Sequence, residues 1–337
     1  MTHSSTNDKA AHQTQKIPCR IPKVSLAAAT LALALSATAT LATPSLTINN
    51  MQSVGSVDLR FPDKIKDVFS TGYDEVTISS RYFYGLGDSS IYQEEEDVWA
   101  GAFGGEAQRV VDASGNPDPF DPTTLYRSQD EVILYCLDIF NDLQYASSFV
   151  RYNVFEFDNN EETKPTTTTE IIKNKEITVG WGRWRRPITI PGLTVTGNLN
   201  NVLHFLGAVN DVLENTNDYG TYNFGDRNWL NPADRWVSGA IQVGIWESLY
   251  DDEMNLDTGH FSVEGLSEAG ADLLDNAFDQ MANSNPLDRS LVLLFQPVNG
   301  GQTLIGDPDP VDVPAPGTLV LLLSGLFLVR KVSRISR

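Results

Sequence analysis

The chain has 337 residues, 44 of them acidic against 24 basic, for a net charge of −20. That length suffices for one large or two ordinary domains with a real core. The acidic balance argues against general nucleic-acid binding, which needs basic surface to neutralise phosphates, and it names no other partner because acidic surfaces also serve solubility.

The first 42 residues read as a signal peptide. A polar leader with Lys16, Arg20 and Lys23 precedes an apolar run over 24–35 and then Ala37-Thr38-Ala39. Positive region, apolar region and small-residue site are the export pattern, with cleavage expected near Ala39 or Ala42 and an uncleaved anchor as the alternative. From 45 to about 84, short alternating runs (45–48, 56–59, 75–78, then Tyr82 to Tyr84) broken by Gly and Pro predict an all-β region. The run Glu94-Glu95-Glu96-Asp97 reads as a solvated loop or helix start. Residues 112–122 are dense in Asp, Asn, Pro and Gly. Calcium is the chemistry such oxygens suggest, but the EF-hand Gly and Glu are missing, so an ordinary loop is expected.

Residues 131–140 are apolar nearly throughout and predict a buried strand, with Cys136 in the core or at its rim. Residues 149–157 alternate and predict another strand, and the Thr-rich run 163–169 reads as an exposed loop. Trp181-Gly182-Arg183-Trp184 lies between strand-like runs 176–179 and 188–190 and is expected to be a hairpin loop. The other use of such interleaving is stacking on sugars or bases.

After Gly197 the period changes. Leu199, Val202, Leu203, Leu206, Val209 and Leu213 predict a helix capped by Asn198. Residues 231–251 predict a second, with Asn231 as cap, Pro232 at the first position and Asp234 in the first turn. Val237, Ile241, Gly244 and Ile245 would face a core, which leaves Gln242 as a polar amide beside that face, one turn from Ser238 and from Trp246. A third helix is expected from Ser262 or Ser267 to Ala282, and 290–296 closes the fold as a buried strand. The fold class is therefore α+β. A β-rich body, sandwich- or barrel-like, runs to about 197; a helical section spans 198–283; a final strand follows, all in one exported domain over 45–306.

Residues 307–316 form a stiff Pro/Asp linker. Over 313–337 come Val313-Pro314-Ala315-Pro316, an apolar run shorter than the roughly 20 residues that span a bilayer, and a basic cluster from Arg330. This tail resembles a PEP-CTERM sorting signal, with Ala315 where that motif usually carries Glu. The resemblance implies an exosortase-type processing enzyme as partner, a membrane contact through the tail, and a surface or matrix location outside a Gram-negative cell. Loss of the leader would remove Cys19 and leave Cys136 as the single mature cysteine.

Tyr135-Cys136-Leu137-Asp138, followed by Ala240-Ile241-Gln242-Val243-Gly244-Ile245-Trp246-Glu247, resembles thioester-domain surface proteins over about 135–295. Gly244 replaces that family's small Ala. The resemblance implies an internal thioester between Cys136 and Gln242. Such a bond needs a dry pocket, which Tyr135 and Trp246 would supply, and oxyanion donors or proton shuttles, for which Asp138, Ser238 and Glu247 are the candidates near the motif in sequence. The resemblance also implies covalent attachment to amine-bearing surface or matrix molecules. Neither metal nor organic cofactor is expected, and no catalysis. Two other readings compete. One is a non-covalent structural or exopolysaccharide-binding surface protein. The other is a cysteine hydrolase or transglutaminase-like enzyme pairing Cys136 with His204 or His260.

Overall fold

The computed structural model describes residues 45–61, 69, 71–83, 91–112, 130–141, 143, 149–158, 163–173, 175–179, 186–216, 219–220, 222 and 225–306. The leader with Cys19, the Asp-rich loop beyond Asp112, the Trp181–Trp184 loop, and the linker and tail with Val313, Pro314, Pro316 and Arg330 lie outside these residues.

The body is β-rich, as expected. Six described strands close into a barrel in the order β13 (Leu293–Pro297), β14 (Leu304–Gly306), β6 (Asp130–Cys136), β5 (Phe103–Asp112), β2 (Gln52–Arg60) and β7 (Val150–Glu156). Val57, Leu59, Val132, Leu134, Tyr152, Val154, Phe295 and Leu304 pack together in one apolar cluster of the barrel. Their alternation along each strand puts one face inward, which is what period-2 sequence requires. A three-stranded sheet, β1 (Ser45–Asn49), β8 (Thr166–Ile172) and β11 (Leu193–Asn198), and another, β12 (Phe261–Glu264), β3 (Asp74–Phe83) and β4 (Ile91–Ala100), stand beside it. β9 (Lys175–Val179) and β10 (Arg186–Ile190) form an antiparallel pair, so the strands expected on either side of the Trp-rich loop are present.

Three helices share the second and larger core. They are α1 (Leu199–Asn215), α2 (Arg235–Tyr250) and α3 (Glu268–Met281). α1 begins where its cap was read: the Asn198 side chain accepts from the Asn200 N–H at 3.1 Å. α3 starts after Ser267, whose hydroxyl accepts from Gly270 N–H.

Several expectations need correction. The Thr-rich run is not an exposed loop: it continues into β8, the central strand of its sheet, with Thr167 and Thr169 buried. Threonine is β-branched and fits a pleated surface, so low complexity concealed a strand. The acidic run Glu94 to Asp97 lies inside β4 and pairs with β3 through Ile78↔Glu96 and Ser79↔Glu95. Tyr92 and Val98 bury one side of that strand, while Gln93, Glu95 and Asp97 face solvent. α2 begins at Arg235 with Asp234 as its N-cap, not at Pro232. The segment before it is held elsewhere: Asn231 Nδ2 donates to Arg227 O at 3.2 Å and Ala233 N–H to the Tyr222 hydroxyl at 3.0 Å. Nor is α2 one-sided, because every residue from Val237 to Tyr250 is buried. The strand after the helices is not the last one. β14 follows it and fills the place between β13 and β6.

Gly244 sits where α2 crosses α1, and a Cβ there would overlap the Phe205 ring. Phe205 in turn packs on Phe278 of α3, ring centroids 5.6 Å apart. An Ala at this position has no room against this Phe. Gly244→Ala is expected to destabilise the fold by about 1–3 kcal/mol through overpacking, measured by chemical denaturation. Phe205→Leu in the same chain should recover part of that loss.

Candidate functional site

The site is built where α2 meets the end of β6. Along β6, Val132 and Leu134 turn into the barrel, while Tyr135 and, just beyond the strand, Leu137 belong to the helical core. Cys136 is half-buried and packs against both clusters. It carries no disulfide.

The main chain at Cys136 explains why Gln242 is needed there. Leu137 N–H donates to Thr303 O at 2.8 Å, on the β14 side. Strand alternation then directs the N–H and C=O of Cys136 to the other side, toward β5. But β5 begins at Phe103, opposite Leu134, so no β5 residue pairs with Cys136. The side chain of Gln242 takes that place. Cys136 N–H donates to Gln242 Oε1 at 2.8 Å, and Gln242 Nε2 donates to Cys136 O at 2.7 Å. The carboxamide mimics a strand peptide and extends the ladder by one rung. One turn earlier on the same helix face, the Ser238 hydroxyl accepts from Ala102 N–H at 2.6 Å and fixes the chain as it enters β5. Farther along that face Leu249 lies against Gly197 of β11.

The strand also sets the side on which the thiol stands. A strand side chain stands roughly perpendicular to its sheet. The Gln242 carboxamide lies in the ladder, bonded edge-on to Cys136. By alternation along β6 the Cys136 side chain stands on the strand face shared with Val132 and Leu134. That face meets the barrel interior, where Tyr152 is buried; burial first, and the charge Cys136 carries when ionised second, push the Tyr152 phenol up. Leu134, Leu304 and Phe295 of this cluster are fully buried, and Cys136 lies half-buried against it.

The remaining expected site residues divide into two groups. Tyr135 and Ser238 lie with the Cys136–Gln242 pair. Tyr135 is fully buried, stacks on Trp229 with centroids 5.8 Å apart, and donates from its hydroxyl to Trp229 O at 2.8 Å. Burial raises its phenol pKa, and a hydrogen bond with Ser238 opposes that rise. Trp246 is one turn beyond Gln242, buried, with its ring edge toward Phe261 at 6.4 Å.

Glu247 and Asp138 are buried carboxylates with hydrogen-bond partners other than the amide. At about 100° per residue, Glu247 lies roughly 140° round α2 from Gln242. Its Oε1 accepts from Asn255 N–H at 2.8 Å, and its other oxygen is buried with no hydrogen-bond partner. Burial, and then the Asp251 and Glu253 charges, push it up to about 8. Asp138 accepts from Phe140 N–H at 2.7 Å and from Asn141 Nδ2, and burial pushes it up to about 6. The histidines sit at other places. His204 lines a cleft of about 830 Å3 with Asn200, Asn210 and Asp211. His260 stacks on Tyr82 at 5.1 Å, its Nδ1 2.9 Å from Arg81 O.

Sequence reasoning did not find the pairing of the Gln242 amide with the Cys136 main chain, or the part of Ser238 in it. Both depend on where β5 starts, and no strand was read at 103–112. Among the described residues no group of three or more His, Cys, Asp or Glu is placed to hold a metal ion. No described helix is long and apolar enough to cross a membrane. Comparison with protein families, with curated proteins and with solved structures returns no match.

Two outcomes are expected. Gln242→Ala removes one acceptor and one donor from Cys136, at about 1–3 kcal/mol for each group affected; its denaturation midpoint should fall accordingly, and an unchanged midpoint would show that the rung adds no stability. The second concerns pH. Glu247 and Asp138 hold protons more tightly folded than unfolded. Stability is therefore full below their ordinary carboxylate values and declines as pH rises toward about 8, the folded value of Glu247. Glu247→Gln should flatten the upper part of that decline in denaturation midpoints measured across this range.

Proposed function

We propose that this chain is an exported surface or matrix protein in which Cys136 and Gln242 join as an internal thioester that captures amine-bearing partners covalently. The observation that carries this reading is the Gln242 carboxamide held at 2.8 and 2.7 Å from the two main-chain polar groups of Cys136.

The chemistry follows from that arrangement. The Cys136 sulfur attacks the side-chain carbonyl carbon of Gln242 from above the amide plane. Negative charge develops on Oε1, which already accepts the Cys136 N–H, so the same residue supplies the nucleophile and an oxyanion donor. The C–N bond breaks, and nitrogen leaves as ammonia with the thiol proton. A thioester remains, shielded by the apolar barrel wall. A partner amine then attacks the same carbon. The C–S bond breaks, an amide forms between Gln242 and the partner, and the proton returns to the Cys136 sulfur. Each chain reacts once, so the product is an attachment and not a turnover. The export leader and the sorting-type tail support an extracellular setting, in which an exosortase-type enzyme processes the tail after membrane contact.

The same two hydrogen bonds favour one alternative. The amide remains intact as a permanent latch, and the chain is a non-covalent structural or polysaccharide-binding surface protein.

Intact mass separates the two. The thioester reading expects the exported protein to be lighter than its sequence by one ammonia, with Cys136 resisting alkylation until a small amine is added. Gln242→Ala should restore the full mass and make Cys136 open to alkylation at once. Full mass with ready alkylation in the unaltered chain would leave the latch as the answer.

A further inference from the structure

We infer that a second site, at the start of α2, binds alkylammonium groups. A cleft of about 510 Å3 is lined there by Tyr219, Trp236, Ala269, Asp272, Asp275 and Asn276. Trp236, the second residue of α2, is half-buried, and Tyr219, beyond the end of α1, is buried. Their rings meet edge to face, with centroids 5.8 Å apart and planes 62° apart. Asn276 Nδ2 donates to the Tyr219 oxygen at 2.8 Å and to Asp272 O at 2.8 Å, which holds the phenol against α3.

The lining has one chemical character. Two aromatic rings line it, and two exposed carboxylates stand at the rim. Asp272 and Asp275 are three residues apart, so they share a face of α3. α3 also carries Glu268 and Asp279, and no Lys, Arg or His. The nearest basic side chain in sequence, Arg235, is turned to Asp74 at 3.8 Å. A ring pair with carboxylates and no cation in the wall attracts a compact organic cation through cation–π and charge terms together. An anion is repelled there. A lysine side chain or amino sugar would bring a primary ammonium, and a methylated amine a quaternary one. The site stands independently of the thioester, because a quaternary ammonium has no N–H and cannot open one.

Tetramethylammonium is titrated into the full chain while the Trp236 indole N–H signal is followed by NMR, with sodium chloride as control. A saturable shift specific to the organic cation is expected, weakened roughly tenfold in D272N/D275N. The rim substitutions are exposed, and an otherwise unchanged spectrum reports that the variant folds. Methylammonium is tested in C136A, where no thioester forms. A matching response there assigns the site to ammonium groups in general; a response to tetramethylammonium alone assigns it to quaternary amines. No saturable shift with either cation, or an equal shift in D272N/D275N, overturns the inference.

Discussion

Two hydrogen bonds join the helical core to the barrel at one residue. Gln242 bonds the N–H and C=O of Cys136, and so closes a ladder position that β5 does not reach. Buried main-chain groups need partners, so whatever stands beside the end of β6 must offer both a donor and an acceptor at strand spacing. A primary carboxamide presents both in one plane at any pH of the folded range. Gln at 242 therefore suits the strand end, before any chemistry is considered. The chemistry proposed for the pair starts from the same contact, with the Cys136 sulfur as nucleophile and the side-chain carbon of the pinned amide as its target.

Much of the structure serves to keep this contact in place. α2 is buried on all sides from Val237 onward, which removes its freedom to rotate or slide. Ser238 ties its first turns to Ala102, Gly244 lets α1 approach until Phe205 covers it, and Leu249 seats against Gly197. The sheets on either side are closed by strands distant in sequence: β14 completes the barrel beside β6, and β12 pairs with β3. Long-range pairing of this kind fixes the end of β6 relative to α2. Of the buried carboxylates, Glu247 lies round the helix from the amide, and both hold neighbouring loops, Glu247 through Asn255 and Asp138 through Phe140 and Asn141.

The β-rich body, the three helices and the Asn198 cap were legible in the sequence, because period and capping chemistry are local signals, while the last helix starts after Ser267, one of the two serines read for it, and Ser262 lies in β12. What escaped was set by distant partners. Thr166 to Ile172 alternates buried and half-buried only because β1 and β11 flank it. Glu95 and Asp97 are tolerated in β4 because their side of the strand is exposed, while Glu94, half-buried on the other side, accepts a hydrogen bond from the Tyr92 hydroxyl. The start of α2 moved to Arg235 because Asn231 and Ala233 bond backward to the preceding turn and to Tyr222. Within the site, spacing and resemblance singled out Cys136 and Gln242, but Glu247, five residues along the helix, was grouped with them by nearness in sequence. Helical rotation carries it to another face, and its burial has a separate physical consequence.

The central claim concerns one atom, the side-chain carbon of Gln242. Peptide mapping by tandem mass spectrometry after methylamine treatment tests it most directly. The account expects the methylamide on Gln242 and nowhere else, with the Cys136 thiol released in the same chains. A Gln242 that remains an unmodified amide, beside a Cys136 that reacts with alkylating reagent before any amine is added, would contradict it.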